Sequence, residues 1–306
     1  VNAANPTGGE LVRENPTPGV LLKWATRARF AIGVAVLWAA LHYLGGMVLQ
    51  DHGRGAPLVL LSATGGASGG IPAACVALLA GAAAALLAGW RDELRCLAVL
   101  GLGLVLWSAL GGTMDDWLKQ ADPQPGPPTG QAYTALLADY LLLAIVIVAA
   151  TLLAATMRGR MPQTLKQLLQ PPGDGGALGK GVAALLVTCA VAAIGMMLLT
   201  GPRLGETYRQ QVLFAVAISF YAGVMIARMT THAEHLLWYW VAPFVVGVGG
   251  LLWAAWKPGL GGAYANIDII PAWGVVRALP IEMVGMGLIG VVWALRSSAP
   301  DAESSA

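Results

Sequence analysis

Charge is what this chain has least of. Only 11% of its 306 residues are Asp, Glu, Lys or Arg, against roughly a quarter in a soluble domain, while 57% are apolar. A water-exposed fold of that composition would lack the polar side chains to cover its own surface. The three cysteines, Cys75, Cys96 and Cys189, lie far apart with no CxxC pair. Neither a disulfide framework nor a thiolate metal site is expected from them. The net charge of +2 is dispersed along the chain, which argues against a nucleic-acid partner. A Walker-type phosphate loop, a convincing dinucleotide-binding fingerprint and an EF-hand are all missing, so the chain alone is no ATP-driven pump.

What the chain has instead is apolar length. Mean hydropathy is +0.67, concentrated in eight runs at about residues 30–49, 71–90, 96–112, 133–157, 181–200, 212–229, 236–256 and 281–295. A helix of about 20 apolar residues crosses a ~30 Å hydrocarbon core, and no open sheet survives there because every backbone N–H and C=O must be paired within the segment. The expected fold is therefore an all-α, polytopic transmembrane bundle of eight spans. Residues 1–29 read as a flexible tail and interfacial lead-in, 30–296 as one membrane domain and 297–306 as a second tail. The first run is too long for a signal peptide and lacks a small-residue cleavage site.

Twelve Lys and Arg fall in segments on the N-terminal side of the membrane and six in segments on the other. The excess predicts both termini in the cytoplasm of a bacterial-type inner membrane. The connection 158–180 divides the spans four and four, as a duplication of halves 30–157 and 181–296 would, but the halves share no aligned residue pattern. Within that connection, Leu165, Leu168 and Leu169 form one stripe of a short surface helix. On the outer side, residues 115–130 and 259–280 are long enough to form a cap.

Few residues invite chemistry. Asp139 and His42 lie inside spans and Glu282 begins the last one, all in the outer half, which makes them candidates for a shared polar pocket. An unpaired charge in lipid costs about 2.5–3.5 kcal/mol even on the lenient insertion scale. The plainer account puts both carboxylates in N-terminal helix turns, facing the positive end of the helix dipole, with His42 reaching toward the interface. His232-Ala233-Glu234-His235 offers two imidazoles without a third convergent ligand, a poor zinc site. The four histidines also fail to supply two facing haem ligands at one depth. Neither a metal nor a cofactor is expected. Pro243 interrupts the seventh span near Gly247, Gly249 and Gly250, as a hinge would.

The sharpest local pattern is Gly65-Gly66-Ala67-Ser68-Gly69-Gly70. Its centre, Gly66-Ala67-Ser68-Gly69, resembles the GxSG serine element of rhomboid intramembrane proteases. The resemblance implies a nucleophilic Ser68 served by a histidine two spans later. No histidine stands between His52 and His232, and that family's upstream HxxxN pattern is absent. Only His42 is expected at the level of Ser68. The alternative is a packing or re-entrant element, since Gly65 to Gly69 and Gly66 to Gly70 are both GxxxG spacings that let backbones approach closely.

These observations lead to a non-catalytic membrane protein whose partners are the bilayer and other membrane subunits or copies of itself. A permease or channel for a small solute is the first expectation, a scaffold or accessory subunit the second, and an intramembrane serine hydrolase the third.

Overall fold

Among the described residues, seven helices are long and apolar enough to cross a bilayer: Leu22–Leu44, Gly70–Ala88, Gly130–Thr156, Ala177–Leu199, Arg209–Thr231, Leu237–Trp256 and Pro280–Ser297. The structure is a computed structural model and describes residues 18–45, 47, 57–61, 67–88, 92–121, 130–157, 159, 175–200, 208–257, 262–265, 268–271 and 274–298. Its elements are α1 (Pro18–Ala40, continued by a π turn, Leu41–Gly45), α2 (Ala67–Ala88), α3 (Glu93–Ser108) and α4 (Met114–Ala121). Next come α5 (Gly130–Ala135), α6 (Leu137–Thr156), α7 (Gly175–Leu199), α8 (Arg209–Thr231), α9 (Leu237–Trp240) and α10 (Ala242–Trp256). A hairpin of β1 (Gly262–Ala265) and β2 (Asp268–Pro271) precedes α11 (Pro280–Ser297). The chain is an all-α, multi-pass membrane bundle, with the antiparallel pairing Ala263↔Ile270 and Tyr264↔Ile269 in the hairpin.

The eighth expected span, 96–112, appears as α3, which has 16 residues and so rises only about 24 Å. It nonetheless runs antiparallel beside α11 from end to end. At one end Asp92, the N-cap of α3, accepts a hydrogen bond at 2.7 Å from Arg296 in the last turn of α11. At the other, the carbonyls of Ser108 and Gly111 meet Arg209, which also holds Glu282 in the first turn of α11. Midway, a Cβ on Gly101 would stand 2.7 Å from the Gly285 carbonyl oxygen, and one on Gly285 would stand 2.9 Å from that of Gly101. Two glycines facing one another let the backbones touch, the small-residue packing that lipid-embedded helices rely on. A short helix of low polarity is stable here because protein covers it: Cys96 to Gly101 are all buried.

Around that pair, α1, α2 and α6 pack with α3, while α8 and α10 pack on α11 and α7 packs on α8 and α10. Of the seven candidate spans the one ending the chain is the most enclosed and the one beginning it the least. The first helix starts at Pro18 and absorbs the expected interfacial lead-in, because nothing between Val20 and Arg29 breaks a helix. At the end bearing Arg228 and Arg296, here called the basic face, α8 closes with His232 in the left-handed conformation at φ 53°, a common way to end a helix. At the opposite, far face, α4 anchors itself by burying Trp117 and Leu118, and it packs beside β2, so two of the long connections do meet over the bundle. The surface helix expected at residues 162–170 lies outside the described residues.

Candidate functional site

The far face holds both carboxylates singled out in the sequence. Asp139 sits in the first turn of α6 and Glu282 in the first turn of α11; they are 1% and 2% exposed. Each is fully engaged by the protein.

Asp139 grips a strap of chain, residues 57–61. The amide of Leu60 donates to its Oδ2 at 2.9 Å and the amide of Leu61 to its Oδ1 at 2.7 Å. The strap carries three buried residues, Pro57, Val59 and Leu60, in an irregular conformation with few backbone partners of its own. A carboxylate supplies the acceptors that a strand or helix would otherwise provide. Gly70 in α2 completes the clamp: a Cβ there would collide with the Leu60 carbonyl, so only glycine admits the strap so close. At its other end Pro57 forms an isolated bridge to Gly112.

Glu282 answers a cation. Arg209, the first residue of α8, donates through Nε to Glu282 Oε1 at 2.6 Å and through Nη1 to the Gly111 carbonyl at 2.6 Å, and through Nη2 to the Ser108 carbonyl. Glu282 Oε2 accepts from the amide of Leu279 at 3.0 Å, the carboxylate half of a capping arrangement at the start of α11. One guanidinium thus joins α8, α11 and the end of α3. Buried Tyr140 lies within electrostatic reach of both Asp139 and Glu282 and fills the notch left by Gly247 in α10.

Of Asp139, His42 and Glu282, the three residues expected to share an outer pocket, Asp139 and Glu282 are buried at the far face. His42 is exposed on the π turn, stacked on Trp38 at a ring separation of 5.4 Å and edge-on to Tyr43 at 5.0 Å. Pro243 is buried at the start of α10, just after the break at Val241 between α9 and α10; a Cβ on Gly287 of α11 would meet its ring at 2.7 Å. The proline is gripped from the side. Of the glycine-rich element, Gly65 and Gly66 lie outside the described residues, Ser68 and Gly69 belong by backbone to the first turn of α2, and Gly70 is the clamp residue above. His232 and Glu234 are exposed, and among the described residues no three His, Cys, Asp or Glu side chains gather as a metal site would require.

Sequence reasoning missed Arg209 and the strap. Arg209 counted only as one outer cation, yet a glutamate buried at the third position of a span demands a counter-charge at its own depth. Arg209, three residues before the expected start of the sixth span, was the signal. Comparisons with protein-family models, with curated proteins and with solved structures return no match.

Proposed function

We propose that the chain is a non-catalytic structural subunit, a scaffold or accessory component of a larger assembly in a bacterial-type inner membrane. One observation carries this over the permease alternative: both carboxylates at span depth are engaged in holding the bundle. A transporter keeps ionisable side chains facing a water-filled path, where solute or proton can reach them. Here Asp139 takes two amides of the strap and Glu282 takes Arg209, which leaves neither to bind a passing solute without breaking the fold. The helices α1 and α7, the least enclosed of the candidate spans, offer apolar sides to lipid or to neighbouring chains.

The test is extraction in mild detergent with sizing of the intact complex, paired with reconstitution of the purified chain into vesicles. The scaffold reading expects a discrete complex heavier than the lone chain, and vesicles no leakier to small solutes than protein-free ones. Saturable solute flux by the chain alone, abolished in Asp139→Asn, would establish the permease instead.

A further inference from the structure

The chain holds one arrangement of helices twice. The first half supplies α1, α2, α3 and the span formed by α5 and α6; the second supplies α7, α8, the span formed by α9 and α10, and α11. Their lengths run in parallel: 23, 22, 16 and 20 residues in α1, α2, α3 and α6, against 25, 23, 15 and 18 in α7, α8, α10 and α11. Each half is packed as the same ring, first helix on second, second on fourth, fourth on third and third on first, with one added contact in the first half between α2 and α3. The connections agree as well. Short ones, 89–92 and 232–236, lead from the second helix to the third, and long ones, 109–129 and 257–279, lead from the third to the fourth.

Like positions do like work. The buried acid is the third residue of the fourth helix in both halves, Asp139 in α6 and Glu282 in α11. Each grips the chain that leads into the second helix of its own half, Asp139 the strap before α2 and Glu282 the first residue of α8. One acid takes amides and the other a guanidinium, so the correspondence lies in the fold and not in an aligned residue pattern. The first and second helices touch through a glycine in both: a Cβ on Gly33 would stand 2.9 Å from the Ala84 carbonyl oxygen, and one on Gly223 would stand 2.8 Å from that of Thr188.

The contacts between the halves are reciprocal. The third helix of each lies on the fourth span of the other, α3 on α11 and α10 on α5 and α6, and the two fourth helices meet between them. Each third helix offers a glycine there, Gly101 to the Gly285 backbone and Gly247 to the Tyr140 ring. A surface on which i touches j while j touches i is an isologous, two-fold contact. With α3 crossing beside α11, each half crosses the membrane four times, so both halves have the same orientation and the axis relating them lies along the membrane normal.

We infer that the chain is two copies of one four-helix unit joined in tandem across a pseudo-two-fold axis, and that the surface made by the third and fourth helices is a dimer interface carried within one chain. The partner this surface fits is a second copy of the same unit. The scaffold reading is not needed for it.

Distances between spin labels on the full chain in detergent test the inference. In a background without the three native cysteines, Val36→Cys/Leu252→Cys and Ile194→Cys/Leu106→Cys each join the first helix of one half to the third of the other. Leu87→Cys/Leu252→Cys and Met229→Cys/Leu106→Cys likewise join the second helix of one half to the third of the other. All six positions are exposed, so labels there leave the packing alone, and elution with the wild type in gel filtration checks this. Pulsed dipolar spectroscopy should give the two members of each comparison the same distance to within ~8 Å, the spacing of one helix from the next. A larger difference in either comparison would place a helix of one half where the other half has none, and would overturn the two-fold relation.

Discussion

The Asp139 carboxylate accepts the backbone amide of Leu60 at 2.9 Å, across 79 residues of sequence. A membrane-embedded acid here works as a replacement for secondary structure, satisfying a strap that belongs to neither helix nor sheet. Asp139→Asn keeps one acceptor oxygen and forces an amide NH2 against the other backbone N–H. Leaving a buried donor unserved costs about 1–3 kcal/mol. The variant should insert normally and lower the unfolding midpoint in detergent, with faster proteolysis between α1 and α2; wild-type melting would detach Asp139 from the strap.

Gly70 supports the same contact from the opposite side, so Gly70→Val should reproduce the defect of Asp139→Asn. Combining the two should add less than the sum of the single effects, because both loosen one segment. Additive losses would place the two residues in separate structural roles.

At Gly101 and Gly285, α3 and α11 touch backbone to backbone. Gly101→Leu should separate them and reduce the amount of folded protein recovered in detergent, whereas Leu106→Ala, on an exposed position of α3, should be tolerated. The comparison of yields by fluorescence-detected gel filtration checks this.

The path of α3 also has a topological consequence. In a background without the three native cysteines, a cysteine at Gly126 should react with an impermeant thiol reagent from the side opposite the N-terminus, and one at Asp174 from the same side. If α3 failed to cross, both assignments would reverse.

Ser68 should not act as a nucleophile, since a lone hydroxyl needs an adjacent base and His42 faces outward, stacked on Trp38. Ser68→Ala should behave as wild type and no fluorophosphonate probe should label the protein. Labelling lost in both Ser68→Ala and His42→Ala would revive the proteolytic resemblance.

The spans were legible in the sequence because membrane crossing depends on length and apolarity, which one chain displays by itself. Their partnerships were not. The run Pro57-Leu58-Val59-Leu60-Leu61 is too short to cross and has no periodicity, so nothing local announces a buried strap, and its acceptor sits 79 residues later. The N-terminal position of Glu282 was readable; its bond to the Leu279 amide and its counter-ion were not, since Arg209 precedes the apolar run of another helix. Asp139 occupies a first helical turn as expected, but its oxygens serve the strap.

The account rests on buried charge serving structure, and the Arg209–Glu282 pair tests that most directly. Unfolding midpoints and free energies of Arg209→Gln, Glu282→Gln and the double variant, measured in one detergent, form a complete cycle. Removing one partner of a buried ion pair costs about 3–5 kcal/mol, and removing both costs much less than the two losses together. The account predicts that pattern, with a coupling above ~1 kcal/mol. Single variants that melt with the wild type, or losses that add within ~0.5 kcal/mol, would contradict it.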